Sequence, residues 1–244
     1  MTGTIINSVV ILAAGFLGCV IKKAIPEKIE KPIMDMIGVS VFLIALLGFF
    51  STALTIVDGA IKSNGEIMML VCLAFGVAIG ELLCIEDKLN AFGKKVEEKA
   101  GVDGFAKGFV TASLLFCVGA MTIIGSLEAG LKGDNTTLFT KSILDLFSSM
   151  MLSASLGIGV IFAALFVLVF QGGLVLLSGL LDSVLNEAAI AEITCVGSLM
   201  IFALGLNLMG ITKIKVANYF PALVFAPFIC ALFALLGQYI PALA

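Results

Sequence analysis

The segment SILDLFSSMMLSAS, Ser142–Ser155, decides the architecture of the chain around it. Whether it crosses a membrane sets the direction of every span that follows. On a helix, Ser142, Asp145, Ser149 and Ser153 recur at spacings of 3, 4 and 4, so they share one face. Ile143, Leu144, Phe147, Met150 and Leu152 cover the rest, and Ser148 lies beside the stripe. The segment is short and polar, so a tilted span, a half-helix and a re-entrant segment all fit it.

The chain on either side is far more apolar. Of 244 residues, 61% are hydrophobic and 13% charged, with a mean hydropathy of +1.20. A soluble domain of this length needs more polar surface than that to cover its core. Several runs approach the roughly 20 residues that cross a bilayer as a helix. A β-barrel would alternate in short segments instead. The expected fold is all-α, a single polytopic membrane domain over residues 1–244. About eight transmembrane segments are read: Ile5–Ile21, Ile33–Ile56, Ile67–Leu83, Phe105–Ser126, Ser142–Ser155, Gly157–Leu181, Ile193–Met209 and Pro221–Ile240.

The lysines test the fifth segment. The first apolar run lacks a basic region before it, so it reads as a membrane helix with its N-terminus outside rather than a signal peptide. With eight crossings, Lys22, Lys23, Lys28, Lys31, Lys88, Lys94, Lys95, Lys99, Lys107, Lys213 and Lys215 lie inside. Lys62, Lys132 and Lys141 lie outside. If the fifth segment fails to cross, Lys213 and Lys215 move outside, and the positive-inside asymmetry weakens.

Residues 86–104, EDKLNAFGKKVEEKAGVDG, form the longest polar stretch. Leu89, Phe92 and Val96 recur at helical spacing, which predicts an amphipathic connector on the cytoplasmic surface. A shift of 158 positions pairs SVFLIALLG at Ser40 with SLMIFALGL at Ser198. It also pairs AGFLG at Ala14 with GGLVL at Gly172. This weak self-similarity reads as an inverted repeat of spans one to three (residues 1–85) and six to eight (157–244). Such repeats are a transporter signature. Spans four and five, the polar region 105–155, would then be inserted between the halves.

Several functions lose ground. No histidine occurs, and all fourteen basic residues are lysine. Imidazole chemistry is absent, and so is the bidentate arginine fork that suits carboxylates and phosphates. The net charge of −3 and its spread over loops give no footing for nucleic acid. The six cysteines form no CxxC pair and read as buried thiols. No nucleophile–base pair, metal cluster or nucleotide fingerprint is present, so neither an enzyme nor a cofactor is expected.

A carboxylate with a row of hydroxyls supplies hard oxygen ligands for Na⁺ or the start of a proton path. Asp145, Ser142, Ser149 and Ser153 are therefore candidates. The competing readings are close helix packing through serine and an interfacial pair of Asp145 with Lys141, four residues earlier. Span four carries a matching stripe of Gly119, Thr122 and Ser126. Two such stripes facing each other would outline a polar path. The following GSLEAGLKGDN, residues 125–135, adds Glu128 and Asp134. Its glycines would break the helix and expose backbone carbonyls, or else form an ordinary exposed turn. Gln171, before two glycines, and Asn207 are further polar groups in apolar runs. Asn218 resembles a cap for the eighth span. Asn7 could lie at the interface or deeper.

VTASLLFCVGAMTIIGSLEAGLKGD (110–134), KSILDLFSSMMLSASLGIGV (141–160), the QGG at Gln171 and GLNLMGITKIKVANYFPAL (205–223) carry a family resemblance. Over nearly its whole length the chain resembles the DUF554 family of bacterial inner-membrane proteins, and the block from Thr111 to Val160 is the specific part. The resemblance implies a bacterial cytoplasmic membrane and a candidate transporter. It supplies no substrate and no site residues. The expected function is transport or conduction of a small cation or small neutral solute, with Na⁺ or H⁺ as coupling ion. The alternative is a non-transporting scaffold or regulator. The partners expected are the bilayer, the solute or ion and, in either reading, further copies of the chain.

Overall fold

Backbone polar groups in hydrocarbon must bond within their own segment, and apolar runs meet that demand as helices. The computed structural model describes residues 1–22, 27–57, 60–63, 66–100, 104–181 and 185–237. The helices are α1 (Thr2–Lys22), α2 (Glu27–Ala53), α3 (Glu66–Leu83), α4 (Ile85–Ala100), α5 (Phe105–Cys117), α6 (Ala120–Leu131), α7 (Thr136–Leu156), α8 (Gly159–Leu176), α9 (Ser178–Leu181), α10 (Glu187–Leu208) and α11 (Phe220–Gly237). A 3-10 turn, Val216–Tyr219, leads into α11. Among the described residues, the one departure from all-α is a small antiparallel hairpin, β1 (Leu54–Val57) with β2 (Ala60–Ser63). The second span was expected to run to Ile56, but the helix stops at Ala53, where the hairpin begins. The end of the eighth expected span, 238–240, lies outside the described residues, as do 101–103 of the connector.

Among the described residues, five helices are long and apolar enough to cross a membrane alone: Thr2–Lys22, Lys31–Ala53, Gly159–Leu176, Glu187–Leu208 and Val216–Phe233. Two bent pairs raise the number to seven, α3 with α4 at 50° and α5 with α6 at 59°. Against the expected eight, the difference falls on α7. That helix is longer than its apolar core suggested, 21 residues from Thr136 to Leu156.

α7 lies parallel to α1 from end to end. At one end the Gly3 N–H donates to Asn135 Oδ1 at 2.9 Å. At the other the Lys22 ammonium donates to the Ser155 carbonyl at 3.1 Å. The helices can approach so closely because Gly18 has no side chain. A Cβ there would strike the Met150 carbonyl and sit 2.8 Å from Ser153 Cβ. α8 turns back after Gly157 and packs antiparallel on α1, with the Ser8 hydroxyl donating to the Ala164 carbonyl at 3.0 Å.

Two apolar cores share α5 and α10 between them. One gathers Ile11, Phe116, Leu152, Val160 and Val167. The other gathers Cys72, Leu114, Val196, Met200 and Ala222. Phe116 and Leu114 thus send one helix into both cores. α10 begins at Glu187, six residues before the expected start of the seventh span. Asn186 caps it, its side chain accepting from Ala189 N at 2.9 Å.

Candidate functional site

The site begins where the fourth span breaks. The break was expected in the glycine-rich stretch 125–135, but α6 runs straight through Gly125 and Gly130. A single glycine costs a helix only about 1 kcal/mol, so it weakens without breaking. The break lies earlier, at Val118 (φ −89, ψ 124) and Gly119 (φ 140, ψ 153). The Gly119 conformation is one that glycine alone adopts readily. Thr122 then reaches back, its hydroxyl donating to the Phe116 carbonyl at 2.9 Å. It thereby serves a carbonyl at the helix end that would otherwise lack a partner.

Beside the break, three helices bring polar side chains together. Lys141 and Asp145 of α7 form an ion pair one turn apart, each only 6% exposed. From α1, the Asn7 amide donates to Asp145 Oδ2 at 3.0 Å and to Gln171 Oε1 of α8 at 3.4 Å. The Lys141 ammonium also stands 5.8 Å from the ring centre of Phe116 on α5, a cation–π contact. Asn7 Oδ1 and Gln171 Nε2 are buried and have no partner among the described residues. A cavity of about 480 Å³ opens on this pair. Gly48 of α2, Gly119 and Thr122 at the break, and Thr194 and Ser198 of α10 contribute to its wall.

Chemically, the wall holds one carboxylate, one ammonium and several hydroxyls, so its formal charge cancels. Lys141 occupies the place at Asp145 that a small cation would take. Displacing the ammonium would leave Asp145 with the Asn7 amide as its remaining donor.

The other candidate residues divide. Ser142 donates to the Leu138 carbonyl at 2.7 Å, Ser149 to Leu146 at 3.2 Å and Ser126 to Thr122 at 2.6 Å, all within their own helices. Ser153 is fully buried against Gly15 and Gly18 of α1, and its hydroxyl has no partner among the described residues. The α7 stripe therefore turns its Ser153 end to α1, and Thr122 is the α6 candidate that shares the cavity with Asp145. Glu128 links α6 to α7 by accepting from the Thr137 hydroxyl at 2.7 Å. Asp134 lies in the exposed turn and accepts from the Thr136 N–H and hydroxyl at 2.9 and 2.7 Å. Those two bonds hold its carboxyl below the usual aspartate range. Asn207 shapes the turn after α10, donating to the Ile214 carbonyl and accepting from Thr212 and the Ile214 N–H.

Other placements correct the sequence reading. Lys141 is not an outer-loop lysine but lies inside α7, because the helix starts six residues before Ser142. The Asp134–Thr136 turn was the signal for that earlier start. Asn218 caps α4 rather than α11, accepting from Glu86 N at 2.7 Å, while Glu86 accepts from Ala217 N at 3.0 Å. Asn7 proves central. Glu192 escaped notice because α10 was expected to begin at Ile193; it is 4% exposed. Among the described residues, no group of three cysteine, aspartate or glutamate side chains could hold a metal ion.

Known proteins match this chain over nearly its whole length. The family described as "Protein of unknown function (DUF554)" matches residues 2–231. A relative in Bacillus subtilis, "Uncharacterized membrane protein YdfK", is 35% identical over 93% of this chain and 94% of its own length. "Uncharacterized protein YqgA" of Escherichia coli is 29% identical over 92% of this chain and 94% of its own. No solved structure matches significantly.

Proposed function

The chain belongs to the DUF554 family, and we propose that this membrane protein is a transporter or ion-conducting protein for a small cation. A small neutral solute is the second substrate class in this reading. The carrying observation is the buried Lys141–Asp145 pair on the wall of a cavity beside a broken helix. Ionisable groups at membrane depth are costly and usually serve function. Replacing such a pair with apolar side chains is often neutral or stabilising, so packing alone gives little reason to keep it. Asp145 is the proposed ligand and Lys141 the internal counter-ion that an entering cation displaces. Thr122, Thr194 and Ser198 are proposed to supply hydroxyl oxygens. In this reading α7 crosses alongside α1, and the lysine asymmetry favours a bacterial cytoplasmic membrane location with the N-terminus outside.

The test is reconstitution. Proteoliposomes carrying an internal cation dye should show uptake of Na⁺ or K⁺ with the native protein. Asp145→Asn should abolish it while leaving the purified protein folded. Uptake by Asp145→Asn with the native ion dependence would remove Asp145 from the pathway. A scaffold reading draws support from Ser153, which packs on Gly15 and Gly18 instead of lining the cavity.

A further inference from the structure

Glu192 is the one carboxyl in the interior of the described residues that no lysine neutralises. The described ion pairs are Lys31–Asp35, Lys141–Asp145 and Lys215–Asp87. Glu192 belongs to none of them. It sits on α10, 4% exposed, and its Oε1 is buried without a hydrogen-bond partner among the described residues. The titratable groups that face it are thiols: Cys72 from α3, Cys230 from α11 and Cys195 of its own helix. Among the described residues, no charged group of α2, α5 or α6, which also pack on α10, reaches its carboxyl. The Cys72 thiol stands against it. These sulfurs do not stand where they could share a metal ion with the carboxyl.

An isolated carboxylate in an apolar interior costs several kcal/mol, and the group takes up a proton instead. As an acid, Glu192 carries no charge, and its O–H becomes a donor. The same helix also walls the cavity. Thr194 lies two positions on, about 200° round the helix, and with Ser198 faces the cavity of Asp145. α10 therefore stands between an uncompensated acid on one side and the ion pair on the other.

We infer that Glu192 is a proton-binding site of the membrane interior, separate from the Lys141–Asp145 centre, that exchanges its proton against the transported cation. This inference rests on the transport reading for its second half only. In the exchange, one proton leaves the Glu192 carboxyl for water as one monovalent cation enters at Asp145. The charge held by the interior is then unchanged, since the carboxylate gained offsets the cation bound.

Infrared spectroscopy of the reconstituted protein tests the proton site without requiring transport. At neutral pH the native protein should show a carboxylic-acid carbonyl band that Glu192→Gln lacks, and that band should disappear as the pH is raised. Identical spectra for the two proteins in that region would show Glu192 ionised and overturn the site. A band that persists at every pH reached would make it a fixed structural acid and overturn exchange. The second arm uses proteoliposomes with an internal pH dye and an imposed Na⁺ gradient. Glu192→Gln should lose Na⁺-driven proton movement yet keep the Na⁺-dependent rise in melting temperature, while Asp145→Asn loses both. A pH-sensitive band together with no Na⁺ response in the native protein would retain the proton site and reject the transport reading. Na⁺-driven proton movement that survives in Glu192→Gln would overturn the coupling.

Discussion

At the scale of single residues, Gly119 has the most sharply defined role. Its backbone angles are nearly closed to other residues, and among the described residues no atom beyond its chain neighbours lies within 4 Å of where a Cβ would stand. The conformation alone demands glycine. Gly119→Ala should therefore lower stability by about 1–3 kcal/mol. Gly173, inside α8 with equally open space, is the contrast, since Gly173→Ala should stabilise by about 0.5–1 kcal/mol. Thermal unfolding of the two variants in one detergent checks both signs. The sequence alone showed Asp145 and its serine neighbours as a stripe, because spacing is all that a stripe requires. It did not show that Asn7 meets Asp145 and Gln171, since those contacts join residues more than a hundred positions apart. Glu192 was legible in principle. The Asn186–Glu187 cap that starts α10 is a local signal, and it moves Glu192 from a helix edge to an interior position.

At the scale of elements, α4 is tied through its first turn to the segment that leads into α11. Glu86 and Asn218 exchange hydrogen bonds with each other's backbone segments, and Lys215 stands 3.4 Å from Asp87. Burial pushes the Glu86 carboxyl above its ordinary value of 4.5, and the Ala217 N–H pulls it back only in part. A carboxyl raised in the folded state holds its proton more tightly there than in the unfolded chain. Its contribution is thus fully present below 4.5 and is lost as the pH rises through the raised value. The melting temperature should fall across that window for the native protein. Glu86→Gln keeps an acceptor for Ala217 and should flatten the slope; a slope unchanged by this variant would assign it to other groups. The amphipathic period of α4 was visible in Leu89, Phe92 and Val96, but its tie to the turn before α11 was not. Asn218 reads locally as a cap for the helix that follows it, and only the fold shows the helix it serves.

At the scale of the molecule, the helices that the weak repeat matches lie against one another. α1 packs on α8, α2 on α10 and α3 on α11. What the sequence could not convey is that α7 clasps α1 more extensively than α8 does. That clasp has a consequence for how the protein is made. The ribosome releases α1 before α7, with α2 to α6 emerging between them. α7 carries Lys141 and Asp145 and falls short of the apolar composition that carries a helix into lipid unaided. Its insertion should therefore wait on Asn7 and the glycine face of α1, already in the bilayer. A chain synthesised without α1 should leave α7 on the surface it first reached and turn α8, α10 and α11 upside down. Reporter fusions placed after Leu156 and after Gly210 would report that inversion, and unchanged sidedness in both would show that α7 enters on its own.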